Sequence, residues 1–219
     1  MRGFKKIDWL NHFLEFIVVI IGILLAFQLN TCSEEKEQAK LIDRHITNIT
    51  EETRFNKTNL EKTIAESKQL KQTVDSIMTL LDSDGPLWNI NMLSLQALRL
   101  NYAYYKQNAY NSLKQSGDIR FIDDLNLRDD IITLYEYFNW ARALDDATRD
   151  TYLDNFQPYV MNNFDMRRAT LQDREKYHNQ VYKNILTSYS YMMQFRLQRQ
   201  EELLQRMTDF IEKHGKNSY

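Results

Sequence analysis

Glu175 and His178 stand three residues apart, the Glu-x-x-His spacing that puts two metal ligands on one helical face. A di-iron bundle needs a second such pair and two further glutamates on facing helices, and no second Glu-x-x-His occurs in the 219 residues. The pair is therefore expected on a solvated helix face, and no metal or other cofactor is implied. Asp123, Asp124, Asp129 and Asp130 form an acidic run of the kind that suits a hard cation, although helix capping and surface charge account for it more simply. Tyr102, Tyr104, Tyr105 and Tyr110 have the apolar bodies and polar tips of pocket walls, but packing is the expected use. Glycine-rich phosphate loops and recognisable Ser/His/Asp or Cys/His nucleophile motifs are absent from the sequence.

Three more candidates lie in or beside an apolar segment, as possible contacts with a membrane partner. Glu15 is an ionisable group near one end of that segment, and two readings stay open: a functional charge, or a side chain that snorkels to the interface. Gly22 permits close approach of a second helix but lacks a GxxxG partner. Cys32 is the single cysteine, so no intramolecular disulfide and no Cys-based zinc site can form. It is expected as a free thiol just outside the membrane, with pairing to a second copy as the alternative.

The element that positions these three reads FLEFIVVIIGILLAFQL over residues 13–29. Its uninterrupted core is shorter than the roughly 20 residues of a full span, so the flanks complete it, with Trp9 at one headgroup belt and Gln28 and Asn30 at the other. Arg2, Lys5 and Lys6 precede it and Glu34, Glu35 and Glu37 follow, which by the positive-inside rule places the N-terminus in the cytoplasm and the remainder outside. A cleaved signal peptide or lipidation box fits less well, because Gln28, Leu29 and Asn30 stand where small residues are wanted. The expected division is a cytoplasmic tail over 1–12, a transmembrane helix over 13–30 and an exported domain over 31–219. A tail that short carries no output domain, so any signal would pass to another membrane protein.

Only 5 Gly and 2 Pro are present, too few turn-formers for a multi-stranded sheet, and the fold class expected is all-α. A net charge of −2 offers no basic field for nucleic acid. Between residues 33 and 82 there is neither Gly nor Pro, and Ile42, Ile46, Ile49, Thr53, Asn56, Leu60, Thr63, Ser67, Leu70, Val74, Ile77 and Leu81 step by four and three. This heptad seam makes one long helix continuous with the transmembrane segment. Its polar middle favours packing against the chain's own helices at least as much as a two-stranded coiled coil. Gly85 and Pro86 break the helix. A second helical region is expected over 87–115, capped by Gly117, and a third from Asn126 with Ile131, Leu134, Phe138, Ala141 and Leu144 buried, kinked or ended by Pro158. The last helix is expected from about Asp173 to Gly215, with Val181, Ile185, Met192 and Phe195 on its inner stripe and Leu203, Met207, Phe210 and Ile211 below. Short turns between such helices give an antiparallel up-and-down bundle.

Two stretches, HFLEFIVVIIGILLAFQLNTCSEEKEQAK over 12–40 and YNSLKQSGDIRFIDDLNLRDDIITLYEYF over 110–138, resemble a family of uncharacterised single-pass bacterial membrane proteins common in Bacteroidota, a domain of unknown function. The family's usual Asn-Asn-Trp-Asn after the anchor is Asn30-Thr31-Cys32-Ser33 here. The resemblance implies an inner-membrane protein with a periplasmic helical domain and carries no catalytic residues. The expected function is a membrane-anchored, non-enzymatic scaffold or sensor-like module that binds a protein partner or a second copy. The alternative is an anchored periplasmic ligand-binding or metal-dependent enzyme domain.

Overall fold

With no proline and only Gly22 as a glycine among its residues, nothing breaks the run of backbone hydrogen bonds, and the chain forms one helix, α1, over Trp9–Asp82. The computed structural model describes residues 9–165, 167 and 174–215, with the side chains of 10–12 excepted. The basic N-terminal residues and Asp173 lie outside that set. All regular elements among the described residues are helical: α2 (Leu87–Gln96), α3 (Asn108–Ser116), α4 (Leu125–Thr151), α5 (Gln157–Asn163), α6 (Arg174–Tyr177) and α7 (Gln180–His214) follow α1. The chain divides into two compact units, Met1–Ile46 and Thr47–Tyr219. In the first, every side chain from 13 to 30 is exposed, and this stretch of α1 is long and apolar enough to cross a membrane.

In the second unit the heptad seam turns inward on the same chain. From Ile49 to Leu81 each of its positions is buried, the polar Thr53, Asn56, Thr63 and Ser67 included. The hydroxyls of Thr53 and Thr63 bond back to the carbonyls of Ile49 and Asn59, which satisfies them without any partner across the interface. Cross-contacts give the directions. Lys68–Glu201, Asp75–Ser190 and Asp82–Lys183 run α7 antiparallel to α1. Asp130–Lys213, Tyr137–Arg206 and Asp145–Arg196 run it antiparallel to α4. The limb holding α2 and α3 descends beside α1, so the topology is up, down, up, down.

That second limb is not the single helix expected over 87–115. It breaks after Gln96 and resumes at Asn108, leaving residues 97–107 without regular helix. The reason is reach. Asn101 bonds Glu66 and Ala109 bonds Glu52, so eight steps of chain must match the fourteen-residue rise of α1 between them, about 21 Å. A helix of that length would cover only about 12 Å; the strap is extended because it must be.

Gly117 caps α3 in the left-handed conformation, φ +76°, where a Cβ is penalised. The cap of α4 is Asp124 rather than Asn126: its Oδ1 accepts the amides of Asn126 and Leu127 at 2.9 and 3.2 Å. Pro158 does not stop the helical path. A π turn over Tyr152–Phe156 widens the backbone just before it, and α5 continues to Asn163. On α7 the expected stripe is displaced. Val181 and Phe195 are exposed and Ile185 and Met192 half-buried, whereas Tyr182, Leu186, Tyr189, Met193 and Arg196 face the core. Ranking aliphatic above tyrosine misplaces the face, because these tyrosines bury a large ring and some also bond their tips, as Tyr182 does to Ser94 at 2.7 Å. Aromatic stacking of Phe156 on Tyr189 (5.1 Å) and Phe164 on Tyr177 (4.1 Å) fills this core.

Candidate functional site

Asn56 of the seam and its neighbours Glu52 and Asn59 on α1 reach the second limb. Asn56 donates through Nδ2 to the carbonyl of Lys106 and accepts the Lys106 amide on Oδ1, both at 2.8 Å, a two-bond clasp on one residue. Asn59 donates to the carbonyl of Tyr104 at 2.7 Å. Glu52, itself buried, accepts the Ala109 amide at 2.9 Å on one oxygen and the Tyr135 hydroxyl at 2.5 Å on the other. Ala109 lies in the first turn of α3, where free amides favour a carboxylate. Bonding to Glu52 adds to burial in pushing the Tyr135 hydroxyl far above the ordinary tyrosine value.

Across the strap lies a second polar group on α4 and α7. Arg196, with 1% of its surface exposed, donates through Nε to Asp145 Oδ1 at 2.7 Å and through Nη2 to the carbonyl of Asn101. Gln200 donates to the same Asp145 oxygen at 3.1 Å. Burial pushes the Asp145 carboxyl up, while the charge and hydrogen bond of Arg196 pull against it. Tyr152 reaches the strap from the same side, its hydroxyl donating to the carbonyl of Leu98 at 3.0 Å. The strap is therefore held by side chains of α1, α4 and α7, and its backbone is where these three helices are cross-connected.

Grooves open on this unit, and two of them bear on ligand binding. One, of about 330 Å³, is lined by Leu134 and Phe210 with Asp129, Asp209, Arg206 and Lys213 around them. The other, of about 430 Å³, has Glu66, Gln69, Leu70 and Thr73 of α1 on one wall and Gln96, Arg99 and Asn101 on the other.

The structure separates the residues singled out in the sequence. Glu15, Gly22 and Cys32 are all exposed on α1, nothing approaches a Cβ built on Gly22 within 4 Å, and Cys32 is a free thiol. Glu175 is exposed on α6, while His178 Nε2 lies 3.4 Å from an oxygen of Asp84. In the acidic run Asp124 is a helix cap and Asp130 receives Lys213 Nζ at 2.6 Å and His214 Nε2 at 2.7 Å. Among the described residues no three His, Cys, Asp or Glu side chains are grouped to hold a metal. Tyr105 and Tyr110 pack, on Phe138 at 5.5 Å and Tyr135 at 4.2 Å; Tyr102 and Tyr104 are exposed. Sequence reasoning passed over Glu52, Asp145, Arg196 and Gln200. A signal existed for Asp145, which continues the Ile131, Leu134, Phe138, Ala141 spacing by one further step of four. Comparison with family models, curated proteins and solved structures finds no match for this chain.

Proposed function

We propose that this chain is a single-pass protein of the bacterial inner membrane, of the uncharacterised family that residues 12–40 and 110–138 resemble. In this reading the N-terminus is cytoplasmic, the helical bundle is periplasmic, and the protein acts as a non-enzymatic scaffold or sensor-like module. The observation that carries it is the stretch 13–30, whose apolar side chains are uniformly exposed to whatever surrounds them. A surface of that kind is stable in lipid and costly in water. The basic residues before it and acidic ones after it supply the orientation. In the bundle, the side chains best suited to chemistry are spent on architecture: Glu52, Asp145 and Arg196 on the strap, Asp124 and Asp130 on helix ends. Glu15, Gly22 and Cys32 are the positions where a membrane partner or second copy would meet α1.

Purification of the tagged full chain from native membranes, followed by mass spectrometry and non-reducing electrophoresis, tests the interaction. A membrane protein recovered in stoichiometric amount, or a reductant-sensitive dimer absent from Cys32→Ser, is the expected result. A monomer recovered alone, with no disulfide even after added oxidant, contradicts it.

A further inference from the structure

The larger groove has chemistry that the fold leaves unspent. Among the described residues, the side chains of Gln69, Gln96 and Arg99 make no hydrogen bond or ion pair, although all three line the same space of about 430 Å³. Glu66 is engaged on one oxygen by Asn101 Nδ2 at 2.9 Å, and its other oxygen has only Lys62 Nζ at 3.9 Å, an exposed and loose contact. The groove thus presents one carboxylate and one guanidinium together with amide and hydroxyl groups. Its volume falls in the usual range for small-ligand sites, roughly 300–1,000 Å³.

The lining selects among ligands. No aromatic ring borders the groove, so a sugar would lack a stacking platform; a phosphate would meet Glu66 beside the single arginine. Leu70 is its one aliphatic residue, which disfavours an apolar ligand. A small molecule with an ammonium and a carboxylate matches both charges at once, and an uncharged polar side chain would satisfy Gln69, Thr73 and Gln96. The geometry points to a binding site for a neutral, polar α-amino acid, with its carboxylate on Arg99 and its ammonium on Glu66.

The site has a built-in route to the interior. Asn101 ties Glu66 through its side chain and takes Arg196 Nη2 on its backbone carbonyl, so a ligand that competes for Glu66 acts on the strap and on the buried Arg196–Asp145 pair. Binding stands on the groove alone; its use as a signal rests on the sensor-like reading above.

Isothermal titration of the full chain in detergent with glycine, L-serine and L-glutamine tests the site. L-Glutamine is expected to bind saturably, and N-acetyl-L-glutamine and L-glutamine methyl ester, each lacking one charge, about tenfold or more weaker. Arg99→Ala and Glu66→Gln should each weaken L-glutamine binding by about tenfold or more. Both side chains reach solvent, so the fold tolerates their change, and Gln205→Ala, on the exposed face of α7, should bind normally. Absence of saturable binding by all three amino acids overturns the site. So does binding that survives both variants, or that is equal for the singly charged derivatives. Hydrogen exchange at 98–106 that changes with ligand supports coupling to the strap; unchanged exchange with intact binding removes the signalling use and leaves the site.

Discussion

A buried arginine needs its charge answered, and Arg196 is bonded from two directions, through Nε by Asp145 and through Nη2 by the carbonyl of Asn101, while its Nη1 is left unpaired. Arg196→Met leaves Asp145 buried without its cation and frees the strap at Asn101, a loss of about 3–5 kcal/mol by analogy with other broken buried pairs. Arg196→Met with Asp145→Leu should cost clearly less than the sum of the two single changes, because neither charge is then stranded. Urea unfolding of the purified variants reads both values, and a single-variant cost below about 1 kcal/mol contradicts the buried pair. Asp130 is a milder case of the same logic. Partial burial pushes its carboxyl up, but hydrogen bonds and charge from Lys213 and His214 outweigh that and hold it below the usual range. A carboxyl depressed in the folded state adds stability above its unfolded value of about 4, and that stability is lost as pH falls through the folded value. The melting temperature of Asp130→Asn should therefore lie slightly below the parent's at neutral pH and meet it in acid; a gap that persists well below pH 4 excludes this origin.

At the scale of elements, the strap explains Asn56 in the seam of α1 and Asn59 beside it. A leucine at position 56 would bury as much surface but leave the amide and carbonyl of Lys106 without that partner, and each unpaired buried group costs about 1–3 kcal/mol. Asn56→Leu, which keeps the helix and the size, should destabilise by about that amount and speed hydrogen exchange at the Lys106 amide in particular. Unchanged exchange there would mean that the clasp is dispensable. The seam from Ile49 to Leu81, the break at Gly85 and Pro86, the Gly117 cap and the inner face of α4 from Ile131 to Ala141 were legible because periodicity and turn chemistry are local signals. The strap was not, since nothing in ALRLNYAYYKQ forbids helix; the mismatch between its length and the rise of α1 is a tertiary fact. Lower on α7 Leu203, Met207 and Phe210 are buried as expected, but the inner face of its first half was misread for a related reason. Val181 and Phe195 rank as more apolar than Tyr182 and Tyr189, but partners such as Ser94 belong to other elements and decide which face turns inward. Asp145 falls on a stripe that periodicity marks as buried and Arg196 on the face that Tyr182 and Tyr189 turn inward, and only their mutual pairing makes that placement acceptable.

For the whole molecule, two kinds of surface define the account. The exposed stretch of α1 is long and apolar enough to cross a membrane, and the second unit is a helical bundle with a buried core. The proposed arrangement sets the first across the inner membrane and the second in the periplasm, and its weight rests on Arg2, Lys5 and Lys6 before the span against Glu34, Glu35 and Glu37 after it. Reporters fused after Tyr219 test this most directly: one active only in the periplasm and one active only in the cytoplasm, expressed on the same full chain. Activity from the periplasmic reporter and none from the cytoplasmic one is the expected result. The opposite pattern would put the bundle in the cytoplasm and contradict the proposed topology, and with it the reading of the protein as a periplasmic module.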